Sequence, residues 1–383
     1  MIDYGVRIYH PDGSHFDFNE RSTVCRVLGI GGGTGFKGTD YNGNSYTFST
    51  GIRVPEGYDW WLWNSLSVNQ NWGPFIVSGG PGGFGPSGAS VSTPYLDDNR
   101  VINVRWDYTY IADYVPPGNL IFRGTQHLDG LYGAVAWPVA LPHDYGFQIY
   151  GVNNLAGVFD SSQVSYLIWK GEVDIYNGWS PQNINTELSL RNCICFFYTT
   201  DLNDVIGIDS DTRYRVWRDG RVYDGSVRAK VCIFGNGAAL SPLADYGMEV
   251  WNPQTGQLVY NSGRDVLIRP QLVSVATAVS LVDSTLEYSY VKVPGITRPM
   301  YAPTNTGAGV GAGVAFNDKG DSMYGFYTWV TSDGYYLYQR PGGQQNPYEA
   351  VSGAGKVFRY GHPVYKNSTN PVMVIDAEDY FVF

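Results

Sequence analysis

Hydrophobic and polar positions alternate along this chain in short runs, and one such run occurs three times. Asp3-Tyr4-Gly5-Val6-Arg7-Ile8-Tyr9 returns as Asp144-Tyr145-Gly146-Phe147-Gln148-Ile149-Tyr150 and again as Asp245-Tyr246-Gly247-Met248-Glu249-Val250-Trp251. Val6 and Ile8, or Met248 and Val250, share one face, with Arg7 or Glu249 on the other. That is the period of a half-buried strand. Each copy continues past a glycine (Gly13, Gly157 or Gly256) into a second short run at residues 15–18, 158–161 or 257–262. The Pro, Asp, Asn and Gly residues between the runs suit a tight turn. Each copy therefore predicts a β-hairpin. Looser echoes begin at Tyr214 and Tyr324.

A hairpin cannot bury its apolar face alone. The three copies predict successive β-sandwich or barrel-like units at residues 1–143, 144–244 and 245–383, the first carrying a Trp- and Gly/Pro-rich insertion at 58–100. Their spacing is uneven, which excludes a solenoid of fixed period. Further strands are expected at 23–28, 101–110, 120–123, 165–175, 187–198, 214–217, 226–234 and 372–375. Between them the sequence suggests a hairpin about Asn42-Gly43-Asn44 and linkers at 137–143 and 235–244. The Gly/Pro run at 79–88 reads as a loop or flap, and the Gly/Ala run at 306–313 as a bend.

Composition strengthens the β reading. The chain has 48 Gly, 31 Tyr and 11 Trp against 16% charged residues, and windows of helical periodicity are nearly absent. Val, Ile, Tyr, Phe, Trp and Thr fill the segments between Gly/Pro punctuation, as in strands. The expected class is all-β.

The net charge of −10 comes without a Lys/Arg cluster, so the long-range field repels phosphate backbones and nucleic acid is not an expected partner. No apolar run is long enough for a spanning helix. Met1-Ile2-Asp3-Tyr4 enters the first repeat directly, and the expectation is a protein made in the cytoplasm without a secretory leader. Cys25, Cys193, Cys195 and Cys232 are too few for a disulfide framework in a chain this long, and read as buried free thiols.

Candidate chemistry is sparse. Gly31-Gly32-Gly33-Thr34-Gly35 resembles a phosphate loop, but the Asn/Gly-containing stretch after it cannot supply the helix that such a loop needs. Asp201, Asp204, Asp209 and Asp211 hint at calcium, yet Val205 and Ile206 stand where an EF-hand needs a ligand and a glycine; solvated turn carboxylates are the plainer reading. Asp97-Asp98 reads as loop surface. The histidines lack zinc spacing and no nucleophile elbow occurs. No catalytic residue, cofactor site or metal site is expected. The cluster of Trp60, Trp61, Trp63 and Trp72 stands out. In an extended strand Trp60 and Trp61 point to opposite faces, so at least one belongs to a core; the cluster suits packing at a domain or subunit interface, or contact with a carbohydrate or receptor.

The Asp-Tyr-Gly hairpin, best seen at 245–262, resembles a module of minor tail and tail-fibre proteins of tailed bacteriophages. The resemblance covers about 18 residues in each copy and does not extend to the insertion at 58–90. It implies a structural, non-enzymatic protein of the virion tail tip or fibre, assembled in the host cytoplasm. It also implies other tail proteins as partners, a homotrimer about the tail axis, and contact with a bacterial surface glycan or protein receptor. A lectin-like module or a glycan-degrading tail enzyme is the alternative. The enzyme would usually show a parallel β-helix, whose short regular coils are not found in this sequence.

Overall fold

The computed structural model describes residues 5–9, 15–19, 25–32, 45–64, 68–75, 83–110, 131–139, 146–150, 155–159, 164–190, 192–208, 213–218, 221–235, 247–251, 255–256, 258–268, 270–275, 290–313, 322–341, 348–349, 364–368 and 370–383. Among them the protein is all-β, as its composition indicates. Every strand pairing is antiparallel, no sheet closes into a barrel, and helix is limited to two three-residue 3-10 turns, Pro181–Asn183 and Ala377–Asp379.

Each Asp-Tyr-Gly copy folds as a two-stranded ribbon. Gly5–Tyr9 pairs with His15–Asn19, Gly146–Tyr150 with Leu155–Phe159, and Glu249–Trp251 with Leu258–Asn261. Each ribbon is a sheet by itself among the described residues. In the third, Val250, Leu258 and Tyr260 are buried while Trp251 is 43% exposed and donates its indole N–H to Glu249. The alternation in the sequence thus becomes an inner and an outer face. Gly256 has φ +67°, the left-handed conformation that a turn glycine supplies. The second copy differs from expectation. Gly157 lies within its strand opposite Gln148, so the second strand begins before that glycine.

The largest core crosses the predicted unit boundaries. A six-stranded sheet runs in the order Tyr166–Tyr176, Ser226–Gly235, Cys193–Tyr198, Pro299–Tyr301, Val372–Asp376 and Gln271–Val273. The pairing of Phe197 with Tyr301 joins strands from either side of residue 244. Cys193–Tyr198 is buried at all six positions, as a strand covered on both faces must be. The apolar cluster around it also takes in Cys25, Val27, Trp63 and Val135 from the N-terminal stretch. Backbone bonds reinforce the junction: Cys25 N–H donates to Leu267 O at 2.8 Å, and Ser165 N–H to Cys25 O at 2.9 Å. The three stretches share one core.

Two glycine-rich runs read as loop and bend are strands. Gly83–Leu96 pairs with Val68–Phe75 on one side and Val101–Tyr110 on the other. Asn305–Gly313 pairs with Ser322–Ser332 and with Val364–Asn367. Glycine weakens a strand interior through backbone entropy, but a ladder on each side offsets that cost. The missing side chains also permit close approach. Cα atoms of Asn305–Gly313 come within 8 Å of those in Val68–Phe75 and Gly83–Leu96, whereas stacked sheets ordinarily lie about 10 Å apart.

Smaller departures have local causes. Residues 187–190 lie in turns held by Asn192, whose side chain accepts from Ser189 N–H and donates to Glu187 O, and the strand starts only at Cys193. Trp137 and Pro138 end the strand Leu131–Pro138 and are not linker. Ser45–Arg53 pairs with Val101–Tyr110, and the first arm of the hairpin expected about residues 42–44 lies outside the described residues. Residues 42–44, 79–82, 120–123 and 236–244 lie outside the described residues.

Candidate functional site

The tryptophan cluster is divided between two interiors. Tyr58–Asn64 pairs with Leu131–Pro138, which in turn pairs with Arg26–Gly32. Successive side chains on such a strand point to opposite faces. Trp60 and Leu62 therefore pack with Val54, Ile102, Val104 and Trp106, while Trp61 and Trp63 face the large shared core. Trp63 is 2% exposed and donates its indole N–H to Pro303 O at 3.3 Å. Gly133 lies so close that an added Cβ would sit 3.3 Å from both Trp63 and Ile194. With its ring enclosed and its N–H engaged inside the chain, Trp63 has no face left for a partner. Trp60 and Trp61 are half-buried. Trp72 occupies a backbone position opposite Pro86, beside a register shift, away from this strand; its side chain lies outside the described residues.

The acidic stretch at 201–211 is not a calcium loop over its described part. Asp201 accepts from the backbone N–H and side chain of Asn203. Asp204–Ile208, the segment weighed for metal ligands, is a strand buried at every position. Asp204 itself is buried and accepts from Arg218 Nε at 2.8 Å, so it is an ion-paired strand residue and not a solvated turn carboxylate. Burial lifts its pKa, with the Arg218 bonds opposing. Asp97 belongs to a turn. It accepts from Val101 and Asn99 N–H, and the bond from Val101 leads the causes that lower its pKa. Among the described residues no three His, Cys, Asp or Glu side chains gather as metal ligands, and no helix is long and apolar enough to cross a membrane. None of the four cysteines forms a disulfide and all are buried, Cys193 and Cys195 in a strand covered on both faces. Burial pushes the Cys195 and Cys232 thiols well up, which keeps them from acting as nucleophiles.

The outward chemistry lies elsewhere, where a turn at 333–336 meets residues 381–383. The turn is built on Asp333. Its carboxylate accepts from Tyr335 N–H at 2.9 Å, Tyr336 N–H at 2.8 Å and the Tyr338 phenol at 2.7 Å. Burial works against this carboxylate, but the three donors outweigh it and hold its pKa below the ordinary value. Burial and the same bond push the Tyr338 phenol up to about 12. Gly334 sits at φ +98°, and a Cβ there would lie 2.8 Å from Tyr198 Oη. The turn thus needs glycine for both conformation and space.

This turn presents Tyr335 at 53% exposure, beside Phe383 at 48%. The 381–383 segment is delivered by Tyr380, which is fully buried, donates its phenol to Val266 O and packs edge-on against Phe234 at 5.3 Å. Arg298 links the two parts. Its guanidinium lies 4.2 Å from the Phe383 ring centre and 5.3 Å from that of Tyr335. It donates to Tyr198 Oη at 3.1 Å and to Glu378 Oε1 at 3.2 Å, and the Tyr198 bond leads the causes that raise its pKa. Lys230 lies over Phe381 and Phe383 at 5.0 and 5.1 Å. Tyr290, 64% exposed, extends the aromatic surface by packing on Tyr336 and Tyr338. The result is a rigid surface of exposed rings with cations held over them.

The aromatic residues at 380–383 and the Asp333-Gly334 turn lie far apart in the sequence. Nothing in their spacing announces that they meet, since the strands carrying Tyr198 and Lys230, and the bend that places Arg298 just before Pro299–Tyr301, bring them together.

No curated protein and no solved structure matches the chain. Residues 131–325 do match a family model; they hold the second and third Asp-Tyr-Gly copies, Lys230 and Arg298, but not Tyr335 or Phe383. That match spans just over half of the sequence, and the chain belongs to a family of unknown function, DUF6453.

Proposed function

We propose that this chain is a structural component of a bacteriophage tail tip or tail fibre. There it helps to build the host-attachment apparatus alongside other tail proteins, as a homotrimer about the tail axis. The observation that carries the reading is the thrice-repeated Asp-Tyr-Gly phrase, each copy forming a ribbon paired only with itself among the described residues. The outer edges of such a ribbon offer backbone N–H and C=O groups to a neighbouring strand, a feature of use to a protein that must join others. The shared core fits a rigid building block. Buried free thiols fit assembly in a reducing host cytoplasm before release in the virion. The role needs no catalytic centre, and the purified chain is expected to release no reducing sugar from capsule or peptidoglycan.

Immunogold electron microscopy of particles from a phage that encodes this chain tests the assignment. Gold at the distal end of the tail supports it. Gold on the head, or particles without label and without the chain by mass spectrometry, would refute it. Light scattering of the purified chain tests the assembly state, and a strict monomer at tens of micromolar counts against the homotrimer.

A further inference from the structure

The surface formed by Tyr335, Phe381 and Phe383 gathers two cations, Lys230 and Arg298, on a chain whose net charge is −10, while the nearby carboxylates of Glu378 and Asp333 are engaged within its frame. Lys230 projects from Ser226–Gly235, with Glu172 opposite it on one neighbouring strand and Tyr198 on the other. Glu172 is engaged by Arg228 at 3.4 Å, and among the described residues no carboxylate pairs with Lys230. Its ammonium is placed by the Phe381 and Phe383 rings instead. A π contact orients a cation without neutralising it, so the charge stays available to a ligand. Arg298 is half committed. Nε goes to Glu378 and Nη1 to Tyr198, which leaves Nη2 able to donate.

The supporting frame is fixed before any ligand arrives. Asp333 holds the turn through bonds accepted from Tyr335, Tyr336 and Tyr338, Gly334 brings the turn against Tyr198, and buried Tyr380 fixes the approach of residues 381–383. Little ordering is then required on binding.

A matching ligand needs an anionic group for Lys230 and Arg298 and a flat face of C–H groups for the exposed Tyr335 ring. A hexuronic or sialic acid residue has both, with a carboxylate at one edge of a pyranose ring. A neutral sugar would leave the two cations unused. We propose that the Tyr335–Phe383 surface binds a carboxylated saccharide, with Lys230 and Arg298 pairing its carboxylate and Tyr335 stacking on its ring. This site does not depend on the assembly role proposed above, so the two can fail separately.

Isothermal titration calorimetry on the full chain tests it, with hexasaccharides containing glucuronate, galacturonate or sialic acid and with the neutral hexamer of N-acetylglucosamine. At least one acidic hexasaccharide is expected to bind about tenfold more tightly than the neutral one, and Lys230→Met or Tyr335→Ala to weaken it by about tenfold. Tyr95→Ala, which removes an exposed ring on a different sheet, should leave binding unchanged. Unchanged thermal unfolding of each variant separates lost contact from lost fold, and a variant that unfolds early is replaced by Phe383→Leu. No acidic hexasaccharide binding below about a millimolar, equal binding of the neutral hexamer, or variants without effect would overturn the proposal. A fall in oligomer mass in the variants with saccharide binding intact would do so too, and would mark the surface as a protein interface.

Discussion

The strand Tyr58–Asn64 and the surface at 333–338 and 381–383 are both dense in aromatic residues, yet they use them in opposite ways. The strand carries three tryptophans and turns them into two apolar clusters, Trp60 and Trp61 half-buried and Trp63 fully enclosed and bonded to Pro303 across the core. The surface leaves Tyr335 and Phe383 about half exposed and gathers Arg298 and Lys230 over them. What separates the two is the strand's neighbours and not its composition. An alternating strand in the wall between two cores has an apolar partner on each face. A turn fixed by a carboxylate and a glycine has a partner on one face only.

The sharpest way to break this contrast is Trp63→Ala. Emptying so large a site in a shared core should cost about 3–5 kcal/mol and lower the denaturant midpoint of the whole molecule in one transition. A small effect, or a separate early transition confined to the N-terminal strands, would show that residues 1–143 fold apart from the rest.

Gly334→Ala sharpens the other side. Its φ of +98° and the nearby Tyr198 oxygen make any side chain strained there, at a cost of about 1–3 kcal/mol. Loss of that amount in thermal unfolding, together with displaced Tyr335 and Tyr336 amide resonances, is the expected outcome. A neutral substitution would mean that the turn does not hold the surface in place.

Much of the first region could be read from the sequence and little of the second. Alternation in Met248–Val250 and in the runs at 101–110 and 226–234 marks strands because each has one face or both against apolar neighbours. The same logic required at least one of Trp60 and Trp61 to lie in a core. Glycine runs were opaque for a physical reason. Gly307, Gly309, Gly311 and Gly313 alternate with Ala308, Val310 and Ala312, but a residue without a side chain gives no hydrophobic signal. What stabilises that strand is its two ladders and a close backbone neighbour. Asp204–Ile208 was missed because a five-residue strand opening on an acidic residue looks like the end of a loop. The cationic aromatic surface draws on residues 198, 230, 298, 335 and 383, which only the sheet order brings together.

The pH dependence of the turn is a smaller effect with a defined sign on each side. Asp333 is held below its ordinary 3.8, so its contribution is present above that value and fades as pH falls through the lower folded pKa. Tyr338 is raised from 10.0 to about 12, so its contribution is complete below 10 and fades as pH rises towards 12. Amide exchange at Tyr335 and Tyr336 should therefore be slowest relative to the unstructured rate between those limits. Titration of either group at its ordinary value would contradict the hydrogen-bonded turn.

The smallest effect belongs to Lys230→Met, which should change stability by less than about 0.5 kcal/mol, because the side chain sits at the surface with no carboxylate partner among the described residues. A clear loss of stability in chemical denaturation would reassign Lys230 to the framework.

The most direct test of the contrast is oxidative footprinting of the free chain by hydroxyl radicals, read residue by residue in a mass spectrometer. Tyr335 and Phe383 should be modified rapidly, and Trp63 slowly even though tryptophan is the more reactive side chain. Rapid modification of Trp63 with protection of Tyr335 and Phe383 would invert the assignment of interior and outward surface and contradict the account.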